Sequence, residues 1–130
     1  MGKTTASLLL LACTLTAGAV TKEVEAYQAR MDQAQDLKDT IHDAIDAKDS
    51  KEVARLSHEL TILLQQDEQY WEKQQISDAL ALSKTSVQLS KTIEAAAREG
   101  DIPQSIDAYQ KLQITCRSCH DAHPEKWVTK

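Results

Sequence analysis

Cys116, Cys119 and His120 stand together in the segment Cys116-Arg117-Ser118-Cys119-His120, a C-x-x-C-H pattern. On a helix, two thiols three residues apart lie on one side of a turn. Both can then form thioethers to the two vinyl groups of a single porphyrin, and the adjacent His120 can offer an imidazole nitrogen to its iron. The spacing therefore predicts covalent attachment of one c-type haem per chain. Two other chemistries use the same residue types. A Cys116–Cys119 redox disulfide belongs to a fold that alternates strands and helices, and no segment here has the alternation of a strand. A zinc site from Cys116, Cys119, His120 and His123 would take four ligands from one helix face. Structural zinc wants a tetrahedral cage, normally closed by two chain segments.

The start of the chain has the outline of a secretory signal peptide. A positive Lys3 precedes an apolar run from Ala6 to about Ala12, and Ala17-Gly18-Ala19 offers a small-x-small site with cleavage after Ala19. The run is too short to cross a bilayer, which takes roughly 20 residues. Leu10-Leu11-Ala12-Cys13 also resembles a lipobox, so membrane anchoring is expected only if Cys13 is lipidated. Cleavage after Ala19 removes Cys13, the third of three cysteines, and leaves Cys116 and Cys119 for the haem motif. Export to the periplasm, where haem c is attached in bacteria, agrees with that economy.

Residues 20–130 are expected to form one domain. The chain has 20 Asp and Glu against 15 Lys and Arg, a formal charge of −5, which argues against nucleic acid as a partner. It has no Phe, so the core must be built from Leu, Ile, Val and Ala, a few Tyr and Trp, and whatever cofactor enters it. Beyond Ala19 there is one glycine, Gly100, and two prolines, Pro103 and Pro124. A β protein of this length would need far more turn formers.

Four helices follow from the periodicity. The first runs from about Lys22 to Ala47, with Val24, Tyr27, Met31, Ala34, Ile41 and Ile45 on one face. Lys38 falls near that face and is expected to snorkel to solvent. Asp49 with Glu52 makes a capping box. It opens a second helix striped by Val53, Leu56, Leu60 and Leu63 and continuing to Tyr70 and Trp71. Ser77 caps a third, lined by Leu80, Leu82, Val87, Leu89, Ile93 and Ala96. Gly100 fits the position past its end, and Asp101-Ile102-Pro103 restarts the chain. Ile106, Tyr109, Leu112, Cys116 and Cys119 share a face of the fourth, which Pro124 stops. Short connections make neighbours antiparallel, an up-down-up-down four-helix bundle.

An exported four-helix bundle with C-x-x-C-H at the end of its last helix resembles the cytochrome c-prime family and its low-spin class II relatives. The likeness spans the helix pattern of residues 20–130 and is most specific from Gly100 to His120. It implies Cys116 and Cys119 as thioether links, His120 as proximal iron ligand, and Met31 as the distal ligand that low-spin members draw from the first helix. It also implies an electron carrier rather than an enzyme, serving redox partner proteins, in a family whose bundles often form homodimers. Two departures stand out. His123 and Pro124 hold the places where family members carry an aromatic and then a basic residue, and the chain is short for the family. If Met31 turns away, with Val24 or Tyr27 facing the iron, the same bundle would bind nitric oxide or carbon monoxide at five-coordinate iron. A haem-free helical interaction protein is the remaining alternative. His42 lies about 16 Å along the helix from Met31, so it and His58 are expected on helix surfaces.

Overall fold

A computed structural model describes the backbone from Thr16 to Pro124 and the side chains from Lys22 to Pro124. The charged start, the apolar run, Cys13 and Trp127 lie outside the described residues, and so do the side chains of Ala17-Gly18-Ala19.

Four helices pack against one another: α1 (Thr16–Asp46), α2 (Ser50–Gln74), α3 (Ser77–Arg98) and α4 (Ile102–Ala122). No strand occurs among the described residues, and none of these helices is long and apolar enough to cross a membrane. Pairings between helices fix their directions. Arg30 meets Asp67, and Glu23 meets Lys73. His58 meets Glu94, and Asp78 meets His123. In each case the start of one helix faces the end of the next, so successive helices are antiparallel.

The helix ends show local chemistry at work. Asp49 caps α2 by accepting from Glu52 N–H at 3.0 Å, but the reciprocal half of the capping box is absent. Glu52 turns to Arg55 instead, while Asp49 N–H goes back to Ala44 O at 2.9 Å. Asp101 caps α4 in the same way, accepting from Gln104 N–H at 3.0 Å. Ser77 is not a cap. Ile76 holds that position with no side-chain bond, so α3 starts on packing rather than capping. Gly100, at φ 75°, closes α3 in the left-handed region that glycine tolerates.

The core holds the expected Ile41, Leu60, Ile93 and Leu112, all at 0% exposure. The periodicity misplaced several neighbours. On α2 the buried stripe runs Leu60, Leu64, Asp67, Trp71, and Leu63 is only partly buried. On α3 the innermost positions are Ala79, Ser86, Val87, Ser90, Ile93, Ala96 and Ala97, while Leu80, Leu82 and Leu89 are half-buried. On α4 Ile106 faces out, and Ser105 and Ala108 face in. Small side chains let α2 and α3 approach closely. The hydroxyls of Thr61 and Ser90 lie 2.8 Å apart there, and both donate to Ser57 O. A second cluster, Tyr27, Tyr70, Trp71 and Ala79, closes the end of the bundle where α1 begins and α4 ends.

Candidate functional site

α1 and α4 meet along the thinnest seam of the bundle. Its middle is closed by a ring of hydrogen bonds. Lys38 Nζ donates to Gln113 Oε1 at 2.9 Å, Gln113 Nε2 donates to Tyr109 Oη at 2.7 Å, and the Tyr109 hydroxyl donates to Lys38 O at 3.0 Å. His42 stacks on the Tyr109 ring at 5.9 Å. Lys38 thus faces Gln113 and Tyr109 faces both Lys38 and His42. Carrying this antiparallel register two helical turns toward the start of α1 brings Met31 level with His120.

The cavities agree with that register. Met31, Cys116, Cys119 and His120 line one small cavity of about 40 Å³, together with Tyr27, Leu64, Asp67, Trp71, Ser83 and Ser86. Met31, Cys116 and His120 also line a neighbouring cavity of about 170 Å³, with Lys38 and Leu60 in its wall. A more open groove of about 670 Å³ continues along Lys38, Gln113, Cys116, Arg117 and His120. All four residues singled out in the sequence therefore face one place. Val24 is half-buried, and only Tyr27 of the two alternative distal residues lines these walls.

Burial sets the protonation of the donors. It pushes the Cys119 thiol up to about 11, and Cys116 and the acids Asp78 and Asp67 add to the effect. Burial raises the Cys116 thiol as well, against the pull of Lys38. Both remain thiols at neutral pH, which makes them poor metal thiolates and slow in disulfide exchange. His120 moves the other way. Burial, then the charge of Lys38, lowers its pKa, so the ring is neutral and has a nitrogen lone pair to offer. Among the described residues no three His, Cys, Asp or Glu side chains gather as an ion site would require. His123 is turned away from Cys116, Cys119 and His120: its Nε2 lies 3.0 Å from Asp78 Oδ2, and its ring tilts on Trp71 at 5.3 Å. Its side chain is 12% exposed.

Two residues in these walls were not anticipated. Lys38 is buried, not snorkelling. Asp67 is 2% exposed. Its Oδ1 accepts from Arg30 Nε at 2.8 Å, while its Oδ2 has no hydrogen-bond partner. Burial lifts its carboxyl to about 6, with Arg30 pulling the other way. The spacing did carry a signal, since Asp67 continues the Leu60, Leu64, Trp71 stripe and Lys38 lies between Ala34 and Ile41. His42 and His58 are where the sequence put them, each 58% exposed at the side chain.

The arrangement defines an all-α bundle with a donor set of two thiols, one imidazole and one thioether gathered on a single seam. No family model, curated protein or solved structure matches the chain.

Proposed function

We propose that this chain is an exported c-type cytochrome that carries single electrons, built like the class II, cytochrome c-prime type of bundle. The observation that carries the reading is the shared cavity wall of Met31 from α1 with Cys116, Cys119 and His120 from α4. The pattern alone is short, and the reading is supported by the one thioether among the described residues, Met31, lining the same wall.

The residues suit a haem in their chemistry. Cys116 and Cys119 would hold it: each S–H adds across a vinyl group, sulfur bonding one carbon and hydrogen the other, with no oxidant consumed. Neutral His120 would bind one face of the iron and Met31 the other. Four porphyrin nitrogens complete such a centre, so it needs no cluster of three protein ligands. The two cavities that Met31 and His120 share are smaller than a porphyrin, so holding the group would require these walls to move apart. When bound, the haem supplies an iron that cycles between ferric and ferrous states. The chain's part is to keep that iron dry with Leu60, Leu64 and Trp71, and to hold both ligands on rigid helices so that little rearranges on electron transfer. Thioether ligation by Met31 would raise the reduction potential. Its partners would be redox proteins of the periplasm, and membrane attachment would follow only from lipidation at Cys13.

A five-coordinate, gas-binding cytochrome is the second reading, favoured by one observation: Tyr27 lines the same cavity as Met31. Carbon monoxide distinguishes them. With Met31 bound, the ferrous wild type takes up carbon monoxide slowly, and Met31→Ala gives high-spin ferric iron and rapid uptake. Rapid uptake by the wild type, with high-spin ferric iron, would replace the electron-carrier reading with the gas-binding one.

A further inference from the structure

Lys38 is only 6% exposed. A buried ammonium is costly unless its charge and its donors are met. It has three N–H donors, and Gln113 Oε1 takes one at 2.9 Å. Among the described residues no carboxylate pairs with it, although Asp32 and Asp121 stand in the walls of the same cavities. Gln113 is itself fixed by Tyr109, so the ammonium is held in place rather than free to swing out. Lys38 borders both the cavity shared with Met31 and His120 and the more open groove that runs past Arg117. At the other end of the seam the polarity reverses. Asp67, with one oxygen unpartnered, stands there beside Tyr27 and Trp71. Arg30 already holds Asp67 there, so that end presents a paired carboxylate, whereas the Lys38 end presents an ammonium with donors to spare.

We propose that Lys38 is the carboxylate anchor of this seam, its ammonium binding a propionate of the tetrapyrrole, so that the carboxylate-bearing edge lies at the Lys38 end and not at the Asp67 end. The inference rests on the haem reading given above. A charge-assisted hydrogen bond in a partly dry site is among the stronger kinds, so its loss is measurable.

The test uses the full chain carrying Cys116→Ala and Cys119→Ala, which makes haem binding reversible. Haemin and haemin dimethyl ester, whose propionates are blocked, are each titrated by absorbance into this protein and into versions that add Lys38→Met or Lys38→Arg. The expected result is that Lys38→Met weakens haemin binding by about tenfold or more, leaves ester binding within about twofold, and that Lys38→Arg restores most of the haemin affinity. Equal losses for both ligands would show that Lys38 acts through packing alone, and no loss for either would show that it meets no carboxylate. Both overturn the anchor while leaving the haem reading intact. If the protein with native Lys38 binds neither ligand although the wild type carries covalent haem, the anchor alone is overturned; if the wild type also carries none, the haem reading fails and the anchor with it.

Discussion

The α2–α3 seam and the α1–α4 seam are built from opposite materials. Between α2 and α3 the innermost residues are small and uncharged; Thr61 and Ser90 both donate to Ser57 O, one within α2 and one across from α3, and the Ser57 hydroxyl is left without a partner. Between α1 and α4 the walls hold two thiols, an imidazole, a thioether and a buried ammonium, and α2 adds a buried carboxylate with an unpartnered oxygen to the same cavity. A chain selected only to be stable would not leave such groups together. Packing is concentrated on one seam and chemistry on the other, and the bundle can give way at the second because the first holds it.

The largest effect separates the two seams by stability. Ser90→Leu forces extra methylenes into the closed seam and removes a buried hydrogen bond, at a cost of about 3 kcal/mol. Met31→Ala, on a half-buried residue beside a cavity, should cost the haem-free protein about 1 kcal/mol, well below the usual loss for a fully buried Met. Urea unfolding of both variants measures the difference. Equal losses would mean that the α1–α4 seam is packed as firmly as the other.

Acidity gives the next largest effect. Asp67 keeps its proton up to about pH 6 in the folded chain, whereas the unfolded chain releases it near pH 4. Between those values the folded state holds the extra proton, so stability falls as pH rises through the window, by up to about 3 kcal/mol in full and about 1.4 per pH unit. Asp67→Asn should flatten this part of the profile. Other acids shift the curves of both proteins alike, so the comparison is between slopes. Parallel urea midpoints from pH 4 to 7 would mean that Arg30 compensates the carboxylate completely.

A smaller effect belongs to the ring that closes the middle of the seam. Tyr109→Phe removes its hydroxyl, freeing Lys38 O and Gln113 Nε2 together, and should cost about 0.5–1.5 kcal/mol. Hydrogen exchange should then quicken in α1 and α4 around Lys38 and Gln113, and not in α2 or α3. Uniform quickening would show that the two seams unfold as one unit.

The sequence made the helices legible because their punctuation is chemical: Asp49, Asp101 and Gly100 act at the ends as their types require. The donor set was legible for a similar reason, since C-x-x-C-H has a spacing that chemistry dictates, and Met31 followed from antiparallel register. What stayed hidden was the polar half of the site. Lys38 reads as a snorkelling stem because lysines on apolar faces usually are, and only the Gln113–Tyr109 ring, brought from 71 to 75 residues away, keeps it inside. Asp67 stands among Gln65, Gln66 and Glu68, where composition says solvent and only the stripe through Leu64 and Trp71 says core. Leu63 and Leu64 both fit a helical repeat within one residue, and only packing decides that Leu64 is the buried one. The serines of α3 were passed over because small polar residues carry no burial signal until a neighbouring helix comes close.

Covalent haem is the claim on which the rest depends. The direct measurement is the intact mass, under denaturing conditions, of the full chain expressed for export in a host with a cytochrome c maturation system, alongside its visible spectrum. The predicted mass is that of Val20–Lys130 plus one haem, with the colour retained through acid–acetone extraction and lost when Cys116→Ala and Cys119→Ala are combined. A colourless protein with the mass of the polypeptide alone would contradict the account.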